Sequence, residues 1–195
     1  MMRKFSVRPT LTVKGRTFKG VRGWSGKPTH PPITDLPIIA YLLAAGFDVV
    51  SAIGGKTHSW AREMWHAGTF MFVAGLAGSV LAALTGLADA RQSSQAGTQA
   101  RRTINTHATI MISATVLSVV DVIWRLSDYH TNVVAPVGIV VLSIVVALIV
   151  SLGATFGGTL VYEYGFNVET AGDSPVWHTS ETDVFPGQHD KTPPP

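Results

Sequence analysis

Cysteine is absent from this 195-residue chain. That excludes a disulfide framework, a thiolate metal site and the covalent attachment motif of c-type haem. Charge is scarce as well: Asp, Glu, Lys and Arg make up 14% of the residues, against about 25% in ordinary soluble domains. The sequence has no GxSxG, no P-loop, no HExxH and no dinucleotide-binding glycine pattern. The common soluble-enzyme signatures are therefore missing, and no independent catalytic activity is expected. The first thirty residues hold no apolar stretch, so the first long apolar run is expected to serve as the insertion signal.

What the chain has in quantity is apolar length. Four runs, Leu36–Gly54, Gly68–Ala88, Thr106–Trp124 and Val134–Val161, are nearly free of charge. A helix needs ~20 apolar residues to cross a hydrocarbon layer about 30 Å thick. Inside lipid each backbone donor and acceptor must be satisfied within its own segment, which makes these runs helices rather than open strands. The short polar connections between them favour antiparallel neighbours. The expected fold is all-α: an up-down bundle of four transmembrane helices over residues 33–165. Residues 1–32 form a basic arm, and residues 166–195 form a polar tail expected to be largely disordered.

Charge placement orients the bundle. Eight basic residues from Arg3 to Lys27 precede the first run, Arg91, Arg101 and Arg102 lie between the second and third, and Lys191 is in the tail. Four spans put all of these on one side, with only Lys56, Arg62 and Arg125 on the other. The positive-inside rule then predicts that both termini are cytoplasmic. Topology and anionic lipid account for the basic balance, so the lipid bilayer is an expected partner and nucleic acid is not. Aromatics fall near the expected interfaces, with Trp60, Trp65, Trp124 and Tyr129 outside and Tyr41, Tyr162 and Tyr164 inside.

Ionisable groups within apolar runs are costly unless paired, which makes them the best local clues. Asp48 and Asp121 stand about 18 and 22 Å along the first and third helices at ~1.5 Å per residue. Those helices run in the same direction, so both carboxyls belong to the outer half of the bilayer. Arg125 follows Asp121 by one turn on the same face. The expected polar cluster is Asp48, Asp121 and Arg125, with His66 near the outer start of the second helix. It reads either as a proton or ion relay or as a structural ion pair with one carboxyl protonated.

A second set gathers toward the inner side. His30 precedes the first helix, in a lead-in that Pro28, Pro31 and Pro32 are expected to hold extended, with Asp35 as helix cap. His107 opens the third run at matching depth. Asp89 and Arg91 end the second helix, and Tyr162 and Glu163 end the fourth. Two imidazoles from separate helices could ligate one b-type haem. His66 has no intramembrane histidine to match it, so a second haem is not supported. Gly153 and Gly157 stand at GxxxG spacing, which suits either a homodimer face or packing within the bundle.

Several segments resemble those of a bacterial family of uncharacterised membrane proteins known as domain of unknown function 2231. They are Gly26–Pro37 before and into the first helix, Asp48, the Asn105-Thr106-His107 opening of the third helix, and Gly157–Gly165 at the exit of the fourth. The resemblance covers about residues 26–175. It implies a multi-pass protein of the bacterial cytoplasmic (plasma) membrane. Some relatives are joined to Rieske-type iron–sulfur domains, which implies a respiratory or redox setting for those, and the family is loosely similar to four-helix b-type cytochromes. Three functional readings stand: a small redox protein with one haem, a non-catalytic accessory subunit of a larger membrane complex, and a proton or ion transporter.

Overall fold

The computed structural model describes residues 29–93 and 96–166, almost entirely as helix. The basic arm up to residue 28 and the tail from 167 lie outside the described residues. Four helices follow one another: α1 (His30–Gly54), α2 (Ser59–Ser93), α3 (Gln99–Asp128) and α4 (Val137–Tyr162). They are 25, 35, 30 and 26 residues long, or about 37–52 Å at ~1.5 Å per residue. All four are long and apolar enough to cross a membrane.

Each helix outruns its apolar core at one or both ends. α1 begins at His30, with prolines in its first turn, instead of after an extended lead-in. The first-turn N–H groups of a helix have no intrahelical acceptor, so proline loses nothing there and its fixed φ suits the turn. Asp35 therefore lies one turn inside α1 and is not its cap. Gly55 takes a φ of 61° after the last residue of α1, and its N–H donates to the Ser51 carbonyl at 3.2 Å. Few side chains tolerate that left-handed conformation. At α3 the Thr98 hydroxyl accepts the Arg101 backbone N–H at 3.2 Å, a normal N-cap.

The helices pack in a ring. α1 touches α2 and α4, α3 touches the same two, and α1 and α3 face each other across the diagonal. The outer surface is rich in exposed large apolar residues such as Ile53, Leu84, Ile123 and Leu148, as lipid contact requires. The interior is small and polar by comparison, with Ser51, Thr69, Ser79, Ser118 and Ser143 all buried. In lipid no hydrophobic force squeezes helices together, and small residues and hydrogen bonds take over that role.

Tyr41, Phe72, Ala114, Val122, Val146 and Val150 form the central core. A smaller cluster of Trp65, Ala135 and Ile139 closes one end. Ser51 fastens that end, donating to the Ala61 carbonyl at 2.7 Å and accepting the Ala135 N–H at 3.1 Å. Two of the aromatics expected at the interface are in fact interior: Tyr41 and Trp65 have no exposed surface. Trp60 and Trp124 remain about 40% exposed, as interfacial rings should.

The candidate functional sites

Asp48, Asp121 and Arg125 meet across the bundle diagonal, all three fully buried. Arg125 donates to both oxygens of Asp48, with the Nη1 bond at 3.0 Å, and its Nε donates to Asp121 Oδ1. The guanidinium also lies 4.5 Å from the ring centre of Phe72 and 5.3 Å from that of Trp65. Hydrogen bonds in the plane of the guanidinium and aromatic faces nearby replace the water that a buried charge gives up. Arg125 is thus a fixed internal cation and does not snorkel to water.

Gly68 makes room for this arrangement. A Cβ at that position would stand 2.6 Å from Asp48 Oδ1 and 3.3 Å from the Ala44 carbonyl, whereas one at Gly46 would meet nothing within 4 Å. Gly68→Ala is therefore expected to cost about 1–3 kcal/mol, as overpacking does. Gly46→Ala is expected to be neutral or stabilising by up to about 1 kcal/mol, from helix propensity. Unfolding midpoints of the two variants in one detergent make the comparison.

His66 does not join the cluster. Its ring stacks on Tyr129 with centroids 4.4 Å apart and planes at 25°, and its buried Nε2 has no hydrogen-bond partner. The side chain leaves α2 toward the α3–α4 turn, while Trp65, its neighbour in sequence, turns inward to Arg125. Adjacent helix residues point about 100° apart, so only one of the two can face the diagonal.

At the other end of the bundle, all four helices surround a cavity of about 390 Å³, within the ~300–1,000 Å³ usual for small-molecule sites. His30 and His107 both line it, with Ile38, Ala82, Ile104, Ala108 and Met111, the buried Asp89 and the exposed Asp35 and Tyr162. His30 packs on Gly86 of α2, and His107 on Gly157 of α4. Asp89 is buried, and both it and His107 are near enough to His30 to act on its charge. Arg91 and Glu163 are exposed and lie outside the cavity wall, and Tyr162 is 89% exposed. The expected inner group thus divides, with only some of its members at the cavity.

The hydrogen bonds settle which imidazole nitrogen carries the proton. His107 Nδ1 lies 2.9 Å from the Gly153 carbonyl, which can only accept. His30 Nδ1 lies 3.2 Å from Thr85 Oγ1, whose own proton goes to the Leu81 and Ala82 carbonyls. Both rings are therefore held as Nδ1–H tautomers, and each keeps a lone pair on Nε2. That is the state in which a histidine ligates a metal, its second nitrogen fixed by a protein acceptor. Among the described residues no group of three or more His, Asp or Glu could hold a bare metal ion.

A family model described as "Predicted membrane protein (DUF2231)" matches residues 26–170. The chain belongs to the DUF2231 family. The match runs from just before α1 to just past α4, so the bundle, the buried triad and the histidine-lined cavity all fall inside the family region. No curated protein and no solved structure matches the chain.

Sequence reasoning missed Tyr41, Trp65, Thr85 and Gly86 as parts of these sites. Gly86 and Gly157 carried a usable signal, since each is a small residue on a neighbouring helix at the depth of a histidine. Tyr41 carried none, because a tyrosine five residues past Leu36, where the first apolar run begins, suits the interface as well as the core.

Proposed function

We propose that this DUF2231 protein is a multi-pass protein of the bacterial cytoplasmic membrane, with both termini cytoplasmic, that holds one b-type haem between His30 and His107. The observation that carries this reading is the pair of Nε2 lone pairs lining one apolar cavity. Two such acceptors cannot bond each other, and a metal or a proton donor between them would use both. Gly86 and Gly157 make room for the two imidazoles, and small residues at Ala82, Ala83, Ala108 and Ala154 leave space for a flat group beside them. When bound, the haem would supply one-electron chemistry at the cytoplasmic side. The chain itself fixes both imidazoles, and its partner on this reading is a larger respiratory or redox membrane complex.

The test is a reduced-minus-oxidised absorption spectrum of protein purified in mild detergent from haem-replete cells. A Soret band and a sharp α-band at about one haem per chain are expected for bis-histidine ligation. A flat spectrum overturns the haem.

A second reading has one specific support. The charged residues lining the cavity are Asp35 and Asp89, with no Lys or Arg among them. That lining favours a neutral ligand over haem propionates, and a hydroquinone headgroup could donate its two hydroxyl protons to the two Nε2 atoms. Saturable binding of a short-chain hydroquinone, lost in His30→Ala, separates this reading from the first.

A further inference from the structure

The buried triad holds one acidic group more than its single cation can neutralise. Asp48 takes two hydrogen bonds from Arg125, and that pair is neutral by itself. Asp121 takes the Nε–H through Oδ1, while its Oδ2 is buried without any partner. An ionised Asp121 would leave a net negative charge at zero exposure inside a membrane bundle, with one oxygen unsolvated. Such a charge is avoided by taking up a proton, and two carboxyls sharing one cation need only one proton to become neutral.

A line of buried hydroxyls runs from the cavity toward this carboxyl. Ser118 lies one turn before Asp121 on α3 and is fully buried, its own proton going to the Ala114 carbonyl at 2.8 Å. Tyr41, buried at the centre of the bundle, hydrogen-bonds to Ser79 and stands near Ser118 and Asp121. The Tyr41 hydroxyl is 3.0 Å from Ser79 Oγ, and Ser79 lines the cavity. We propose that Asp121 is a proton-binding site, supplied from the cavity through Ser79, Tyr41 and Ser118.

The transfer balances without a co-reactant. A proton entering at Ser79 is passed on as each hydroxyl accepts one and releases its own, and in the last transfer the Ser118 hydroxyl turns from the Ala114 carbonyl to deliver one proton to Asp121 Oδ2. The groups that bias it are Arg125 on the same helix and Asp48 and Tyr41 on α1. α2 faces the cluster with Trp65 and Phe72, and α4 has no charged side chain along its length. The site does not depend on what occupies the cavity, so it stands or falls separately from the haem.

Infrared spectroscopy of the full chain in liposomes tests it. At neutral pH the wild type is expected to show the carbonyl-stretch band of a neutral carboxylic acid, shifting on transfer to D2O. Asp121→Asn loses the band. Asp121→Glu, which keeps the acid on a longer stem, moves it and covers the case in which the asparagine variant does not fold. Tyr41→Phe keeps the band but shows no D2O shift over the interval in which the wild type completes its own. A wild type without the band, a band surviving Asp121→Asn, or wild-type exchange in Tyr41→Phe overturns the proposal.

Discussion

Arg125→Met is expected to lower the stability of the bundle by about 3–5 kcal/mol, the range found when one partner of a buried ion pair is removed. Methionine fills much the same volume, so the loss does not come from a cavity. It comes from the two carboxyls left behind. Asp48 loses both of its donors and Asp121 its only one, and neither has solvent to turn to. Removing the carboxyls together with the arginine is expected to recover most of the stability, because apolar replacement of a whole buried cluster is often neutral or better. The triple variant Asp48→Leu, Asp121→Leu, Arg125→Met makes that comparison by denaturant titration in detergent. Asp121→Asn alone is expected to cost about 1 kcal/mol or less, since the amide oxygen can still accept the Nε–H as a neutral carboxyl does. A single arginine variant within about 1 kcal/mol of wild type would show that the triad contributes little to the fold.

The contrast between what was readable in advance and what was not has a physical basis. Four apolar runs of membrane length leave the backbone only one way to satisfy itself, so the helices and their up-down order follow from hydropathy and loop length. Helix ends do not. α1 starts at His30 because prolines cost nothing in a first turn, and that position is what brings the His30 ring against Gly86. Depth is also readable, since residue count gives height along an axis; it brought Asp48, Asp121 and Arg125 to one level. Rotation about the axis is not fixed by count alone. The same depth argument grouped His66 with the triad, yet its neighbour Trp65 has the inward face and His66 the Tyr129 side. Tyr41 illustrates the limit from the other direction. Its hydroxyl is stable at mid-bundle because Ser79 on α2 is there to meet it, and that pairing of two helices is a tertiary fact.

On the proposed haem reading, His107→Ala is expected to abolish haem binding, taking the Soret and α-bands from about one haem per chain to none, as loss of an axial ligand does. The imidazole is anchored for this role, with Nδ1 on the Gly153 carbonyl and the ring against Gly157, so that α3 and α4 together set the direction of Nε2. Alanine removes one hydrogen bond to the Gly153 carbonyl, which still accepts within α4, a loss of about 0.5–1.5 kcal/mol that the bundle should survive; far-ultraviolet circular dichroism checks that it does. His30→Ala should behave alike, since its ring is fixed through Thr85 at the same cavity. His66→Ala is the control. It lies at the opposite end of the bundle, stacked on Tyr129, and its removal should leave the bands at full height. Bands retained in His107→Ala would mean that the two lone pairs serve another ligand, and hydroquinone binding would be the next measurement. Bands lost in His66→Ala would move the haem to the end of the bundle where Trp65 and Arg125 lie, leaving the 390 Å³ cavity to the neutral ligand.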